Sequence, residues 1–490
     1  LQHSDITDRL AEKLVSPRAP LDVPALTRSL ARAPAIPALS FSPPEGFAYY
    51  GLNPLAYADV LDSVLDKISI HGRQIGVVGI RSIGTTLSAV VAAAARARVL
   101  EAHRITVRPA GHPYNRETRL SAQQLDFVSK LAAANALFLV VDEGPGLSGS
   151  SFLSVAEALV HAGVSQDGIM LVCGHQPDFD TLRTNDGPKR ARHFRWVAVA
   201  SEARRPAQAE LFIGGGNWRK LMLSEEQIWP ASWITFERLK YLSAAENPER
   251  RFFKFAGLGH YGEAVIEREL TAAEAGFAAS PQVEPYGFVS YPLFTARPMQ
   301  AADISASVLT RLAEYCAFRA DTFRCELANL DALRQMVEHN LGQLGFDSPV
   351  ALNLERPVIA DGQMQPREWA LFPNGRMLKT DSGSHGDDHF FPGATDIAWD
   401  LAGAIVEWGM NAAQAEMFLE TYRRAGNDDI RQRIDDFITA YTAFRCSYCL
   451  MAANAMQASE EQPRLEQSAA EYGEVLSSCV RPRSLITPAA

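Results

Sequence analysis

The stretch Leu137–Ser151, LFLVVDEGPGLSGSS, decides the fold of the first part of the chain. Leu137, Phe138, Leu139, Val140 and Val141 form an uninterrupted apolar run, which a parallel strand buried on both faces requires. The sequence FLSVAEALVHAG after the loop has apolar residues at helical spacing, so the segment predicts strand, loop and helix in succession. Gly144, Gly146 and Gly149 let the loop backbone approach an anion closely, and Ser148, Ser150 and Ser151 add hydroxyl donors to the free N–H groups of the helix start. Asp142 and Glu143, carried to the strand end, can accept hydrogen bonds from a vicinal diol such as ribose. A sugar phosphate suits both halves of the segment.

Upstream, Gln74–Ala89, QIGVVGIRSIGTTLSA, repeats the pattern of strand, loop and helix, with Arg81, Ser82 and Gly84 at the turn. A dinucleotide-binding fingerprint is not satisfied here, because Ile80 and Arg81 follow Gly79 where a second glycine is needed. Between the two segments, Arg104–Ser121, RITVRPAGHPYNRETRLS, gathers Arg104, Arg108, Arg116 and Arg119 in an otherwise acidic chain. It reads either as a lid over a charged leaving group or as a solvated loop, and His112 stays equally open.

The segment VVDEGPGLSGSS resembles the phosphoribosyl pyrophosphate signature of type I phosphoribosyltransferases, with Glu143 in place of the commoner Asp, Ser148 in place of Thr and a loop one residue longer. The resemblance implies that Asp142 and Glu143 hold the ribose, and that Gly146, Ser148, Gly149, Ser150 and Ser151 hold the 5-phosphate. It also implies that Arg81, Ser82 and Gly84 touch pyrophosphate, with Arg108 reaching over from the lid.

At 490 residues the chain is too long for one ordinary core, so two domains are expected. The net charge of −10 and the lack of a long basic run argue against duplex nucleic acid and against a membrane surface. The most apolar helix, AVVAAAARARVL, is broken by Arg96 and Arg98 and cannot span a bilayer. The start, LQHSDITDRL, is neither a signal peptide nor a methionine start, which suggests a trimmed terminus. Six scattered cysteines make no disulfide framework and point to a cytoplasmic setting, and the lone pair Cys446 and Cys449 reads as buried thiols on a core helix.

Residues 1–46, rich in proline at Pro34, Pro37, Pro43 and Pro44, read as an arm, and 47–216 as an α/β domain with a mainly parallel sheet. Its strands are expected in QIGVVGI, RITVR, ALFLVV, GIMLVCG, RWVAVAS and AELFIGG, with GGGNWRK (Gly214–Lys220) as the junction to a second domain, 217–490.

That second part opens with RRFFKFAGLGHYGEAVIERELTAAEAGF, a strand carrying Lys254 followed by a helix with Glu267 and Glu269. It resembles the strand lysine and helix glutamate of the aminoglycoside phosphotransferase branch of the protein-kinase-like fold, an α+β architecture. Gly257, Gly259 and Gly262 follow the lysine, whereas a kinase phosphate loop precedes it, so they are assigned to a strand-to-helix connection. Asp361–Trp408 keeps the order of that family's catalytic segment, with a hairpin turn at Asn374–Gly375. The resemblance implies that Asp381 holds Mg2+ for a bound ATP and that Asp400 braces the catalytic loop.

The segment departs from that pattern at two chemical positions. Gln363 stands where the family has its catalytic aspartate, leaving Asp361, two residues earlier, as the candidate base, and Glu368 stands at the metal-binding Asn. The run SHGDDHFFPG adds His385, Asp387, Asp388 and His389, a ligand set for zinc, manganese or iron, or for magnesium through its carboxylates alone; a solvated polar loop reads equally well.

The sequence thus predicts a phosphoribosyltransferase-like domain and a kinase-like domain in one protein, with Mg2+, phosphoribosyl pyrophosphate and an unidentified small-molecule acceptor. The favoured reaction is displacement of pyrophosphate by that acceptor. A nucleotide-sensing protein with a silent kinase-like domain, and a small-molecule kinase that recruits substrate through its first domain, are the alternatives.

Overall fold

The structure is a computed structural model describing residues 2–31, 43–67, 73–200, 204–223, 229–346, 349–384, 390–391 and 393–480. The chain divides into two compact units, Leu1–Arg205 and Pro206–Ala490, so the division falls ahead of the glycine run expected to mark it. No helix among the described residues is long and apolar enough to cross a membrane.

The first unit begins with α1 (Gln2–Val15), α2 (Val23–Ala31), α3 (Glu45–Ala48) and α4 (Pro54–Lys67). There follow β1 (Ile75–Ile80), α5 (Gly84–Ala97), β2 (Ala102–Val107), the hairpin β3 (Ala110–His112) and β4 (Asn115–Glu117), α6 (Ala122–Ala133) and β5 (Leu137–Val141). It closes with α7 (Ser150–His161), β6 (Ile169–Cys173), α8 (Gly187–Ala191) and β7 (Arg195–Ala198). The sheet has the order β2-β1-β5-β6-β7 and every pairing is parallel. Strand alternation explains its two cores: Leu137, Leu139 and Val141 pack on the side of α4 and α5, whereas Phe138 and Val140 pack on the side of Val128, Phe152 and Leu159. The expected arm is in part a core element, because Ala11 of α1 joins the α5 side and Asp8 pairs with Arg104 at 2.7 Å.

The second unit starts with β8 (Leu211–Phe212), α9 (Arg219–Met222), β9 (Lys240–Leu242), β10 (Arg251–Phe255), α10 (His260–Glu274), β11 (Gln282–Glu284) and β12 (Phe288–Pro292). Its five-stranded sheet has the order β11-β12-β10-β9-β8 and is antiparallel. AELFIGG therefore supplies a strand to this sheet and not to the first, and GGGNWRK lies in the connection from β8 to β9. The rest is β13 (Arg297–Pro298), α11 (Ala306–Thr322), α12 (Leu330–Gln343), β14 (Pro357–Val358), β15 (Trp369–Leu371), β16 (Met377–Lys379), β17 (Thr395–Asp396), α13 (Ala398–Glu407), α14 (Ala412–Gly426), α15 (Ile434–Ala455) and α16 (Glu461–Cys479). Trp369, Trp399, Trp408, Tyr315, Phe437 and Tyr441 fill its main core. The turn at Asn374–Gly375 joins β15 to β16 as the sequence predicts, with Phe372 N–H on the Arg376 carbonyl at 2.9 Å. Cys446 and Cys449 are buried on α15, and the six cysteines are all free thiols.

Candidate functional site

In the second unit, β10 puts Lys254 in the middle of an antiparallel sheet, and α10, which leaves that strand, turns Glu269 back toward it. Lys254 is buried, donates to Asp381, and reaches the Ser384 hydroxyl at 2.7 Å. Glu269 is equally buried and accepts from the Tyr291 hydroxyl of β12. Burial lowers the Lys254 ammonium below its ordinary value even with Asp381 and Glu269 nearby, and burial raises the Glu269 carboxyl. These groups form one wall of a cleft that Trp218, Phe252, Arg367, Glu368, Trp369 and Ser382 also border. The Trp369 Nε1 and Ser382 Oγ atoms are buried without a hydrogen-bond partner.

Sequence reading missed the glycine two places after Asp381. A Cβ at Gly383 would lie 2.4 Å from Glu269 Cγ and 2.7 Å from the Val265 carbonyl, so only glycine lets the Asp381 segment lie against α10. The signal was in plain view as Asp381-Ser382-Gly383, an aspartate spaced from a glycine as in the metal-binding motif of kinases. Gly257, Gly259 and Gly262 close the β10-to-α10 turn, where the Gly257 carbonyl packs against Gly262 and Gly287.

The candidate base does not hold that role. The Asp361 side chain is wholly buried, accepts from the Tyr315 hydroxyl at 2.5 Å, and pairs with Lys379 at 3.4 Å and Arg319 at 3.8 Å. No acceptor hydroxyl can reach a carboxylate enclosed in this way. Asp400 does act as a brace, its two oxygens taking the Asp361 and Gly362 N–H groups at 2.8 Å each. The loop thus has backbone support from Asp400, and half-buried Gln363 follows it with its N–H on Asp361 Oδ1 at 3.3 Å. Glu368 borders the cleft with Asp381, whereas His385, Asp387, Asp388 and His389 lie outside the described residues. Among the described residues no group of three His, Cys, Asp or Glu side chains could hold a metal alone.

In the first unit the sheet order reverses between β1 and β5, and ligands of open parallel sheets sit beyond the carboxyl ends of strands at such a point. Arg81, Ser82 and Gly84 follow β1, and Asp142 and Glu143 follow its neighbour β5, so the fold brings the two predicted loops together. Gly84 lies against Asp142, whose carboxyl receives the Glu143 and Gly84 N–H groups, yet burial still pushes it up to about 7. The Tyr57 hydroxyl donates to the Asp142 carbonyl at 2.9 Å, a contact from α4 that no local motif signals.

Gly149 caps α7 with φ 66°, and Gly146 also has positive φ. The Ser148 and Ser150 hydroxyls both reach the Pro113 carbonyl, at 2.9 and 2.6 Å, so the β3–β4 hairpin tip rests on the predicted phosphate loop. Ser151 is half-buried at the helix start. Arg81 and Arg108 are exposed, Arg81 holding Thr106 Oγ1 at 2.9 Å. Arg104 is excluded from any lid, because its buried side chain ties Asp8 to the Thr85 carbonyl and the Ser88 hydroxyl.

The second unit thus gathers a strand lysine, a helix glutamate and an Asp-x-Gly turn at one cleft, with the loop braced by Asp400 leading to Arg367 and Glu368 at its border. No family model matches the chain, and no curated protein matches it. Among solved structures, a choline/ethanolamine kinase family protein from Mesorhizobium loti is similar at 16% identity over 51% of this chain and 86% of its own, with a TM-score of 0.34. A macrolide 2'-phosphotransferase from Brachybacterium faecium is similar at 15% identity over 49% and 91%, with a TM-score of 0.34. An ethanolamine kinase from Plasmodium vivax is similar at 10% identity over 50% and 82%, with a TM-score of 0.36.

Proposed function

We propose that this is a nucleotide-binding, phosphotransferase-like protein whose second unit holds magnesium ATP in the cleft around Lys254 and Asp381. The observation that carries the reading is the pairing of buried Lys254 with partly buried Asp381, brought together from distant parts of the chain beside Glu269 at a cleft wall. Lys254 would take phosphate oxygens as a compact point charge. Magnesium binds through one or two carboxylates together with substrate phosphates, and Asp381 with Glu368 fits that donor set. The ion would neutralise phosphate charge. Gln363 cannot accept a proton from an acceptor hydroxyl, which supports nucleotide sensing over rapid transfer to a small molecule.

The reversal of strand order between β1 and β5, flanked by both predicted loops, favours a second reading for the first unit. There, phosphoribosyl pyrophosphate would lie with its ribose on Asp142 and Glu143, its 5-phosphate on the Gly146–Ser151 loop and its pyrophosphate near Arg81, Ser82, Gly84 and Arg108. Transfer to a small acceptor in the cytoplasm is the corresponding activity.

Thermal unfolding of the full chain tests both readings. Saturating magnesium ATP should stabilise the second unit by about 2.7 kcal/mol at a hundredfold excess over Kd, and magnesium phosphoribosyl pyrophosphate should act likewise on the first. A ligand that leaves the unfolding profile unchanged at millimolar concentration removes its site from the reading.

A further inference from the structure

The connection between β8 and β9, the two strands ahead of the lysine strand β10, carries Gly214, Gly215, Gly216 and then Trp218. It is pinned down at both ends. Arg219 is 4% exposed, pairs with buried Glu461 of α16 and reaches the Pro230 carbonyl at 2.7 Å. Farther along, Trp233 stacks on Phe390 with ring centres 4.8 Å apart and meets Tyr448 edge-on at 5.4 Å. Glu237 gathers the stretch from within, accepting from Gly216 N–H at 3.0 Å, Trp218 Nε1 at 3.2 Å and the Ser232 hydroxyl at 2.5 Å. The half-buried Trp218 ring is thereby fixed at the cleft border, with the Lys240 ammonium 5.8 Å from its centre.

The cleft is bordered by Lys254, Glu269, Asp381 and Glu368 and by the basic residues Lys240, Arg297, Arg367 and Lys379, while Trp218, Met222, Phe252, Phe294, Trp369 and Phe372 give it an apolar, largely aromatic lining. We propose that Trp218 is the base-binding residue of this cleft: it presents a stacking face to the base of the bound nucleotide, and the Arg219–Glu461 pin holds that face in place before the ligand arrives. The proposal rests on the nucleotide reading above. A face fixed in advance spares the ordering cost of binding, and base-to-aromatic stacking is sequence-tolerant, so the site takes purine and pyrimidine nucleotides alike.

The test compares magnesium ATP with magnesium tripolyphosphate, which lacks base and ribose, by calorimetry on the full chain. Trp218→Ala should weaken ATP by roughly 5- to 100-fold while tripolyphosphate stays within about twofold, and Trp218→Phe should retain most of the ATP affinity. Glu461→Gln, a residue that does not border the cleft, should quicken amide exchange across Asn217–Met222 and weaken ATP severalfold. ATP affinity unchanged in folded Trp218→Ala overturns the stacking role, as does an equal loss for both ligands. Unchanged exchange and affinity in Glu461→Gln overturns the pin. A wild type that binds neither ligand overturns the nucleotide reading itself, and this proposal with it.

Discussion

Replacing Lys254 by methionine keeps the volume of the side chain and removes its charge from a site where two carboxylates depend on it. Lys254 is 4% exposed at its side chain and Asp381 16%, so the pair is largely desolvated. Breaking a buried pair by deleting one partner costs about 3–5 kcal/mol. The partial exposure of Asp381 and its remaining hydrogen bond from Ser384 at 2.5 Å put the expectation at the lower end, about 3 kcal/mol. With m-values of about 1–3 kcal/mol/M, the urea midpoint of the second unit should fall by roughly 1–3 M at unchanged slope. The loss also has a pH signature. Burial already holds the Glu269 carboxyl above its ordinary value, and without Lys254 it rises further. A carboxyl raised in this way takes up a proton on folding, so its contribution to stability falls as pH rises from the ordinary carboxylate value through the raised one. Lys254→Met should therefore be markedly less destabilised at pH 5 than at pH 8, and stabilisation by magnesium ATP should vanish at both. A deficit under about 1 kcal/mol at pH 8, or the same deficit at pH 5, would refute the reasoning.

Gly383→Ala should destabilise the second unit by about 1–3 kcal/mol in urea, because its Cβ has no room against Glu269 and Val265, and should weaken magnesium ATP in calorimetry; a neutral effect on both would show that α10 yields freely. In the first unit, burial holds Asp142 up to about 7, so its folded form gains a proton between the ordinary value of 3.8 and about 7, and its ionisation above that range costs stability. Asp142→Asn should accordingly raise the Tm above pH 7, with the gain fading as pH falls toward 4; a lower Tm at pH 8 would contradict the burial argument.

The parts legible in the sequence are those written in contiguous residues. The β5 strand, its acids, its loop and α7 follow one another without interruption, and so do β10 with α10 and the hairpin at Asn374–Gly375. What escaped depends on residues that meet from afar. Asp361 looks like a base until Tyr315, Arg319 and Lys379 converge on it, and Arg104 looks like a lid residue until α1 delivers Asp8. The glycine run at Gly214 resembles a linker because its meaning comes from the antiparallel pairing of β8 with β9, which composition cannot express.

The hairpin resting on the Ser148 and Ser150 hydroxyls means that any ligand of that loop would compete with the Pro113 carbonyl for its donors. Its donors already hold an uncharged carbonyl, so an incoming group exchanges one hydrogen bond for another and gains little from the count alone. A phosphate gains the difference between a charge-assisted bond and a neutral one, about a factor of two in strength at each donor, while a sugar hydroxyl gains nothing. A loop holding the proposed 5-phosphate would then sort ligands by charge before shape, and the Pro113 carbonyl would set the threshold that an anion has to exceed.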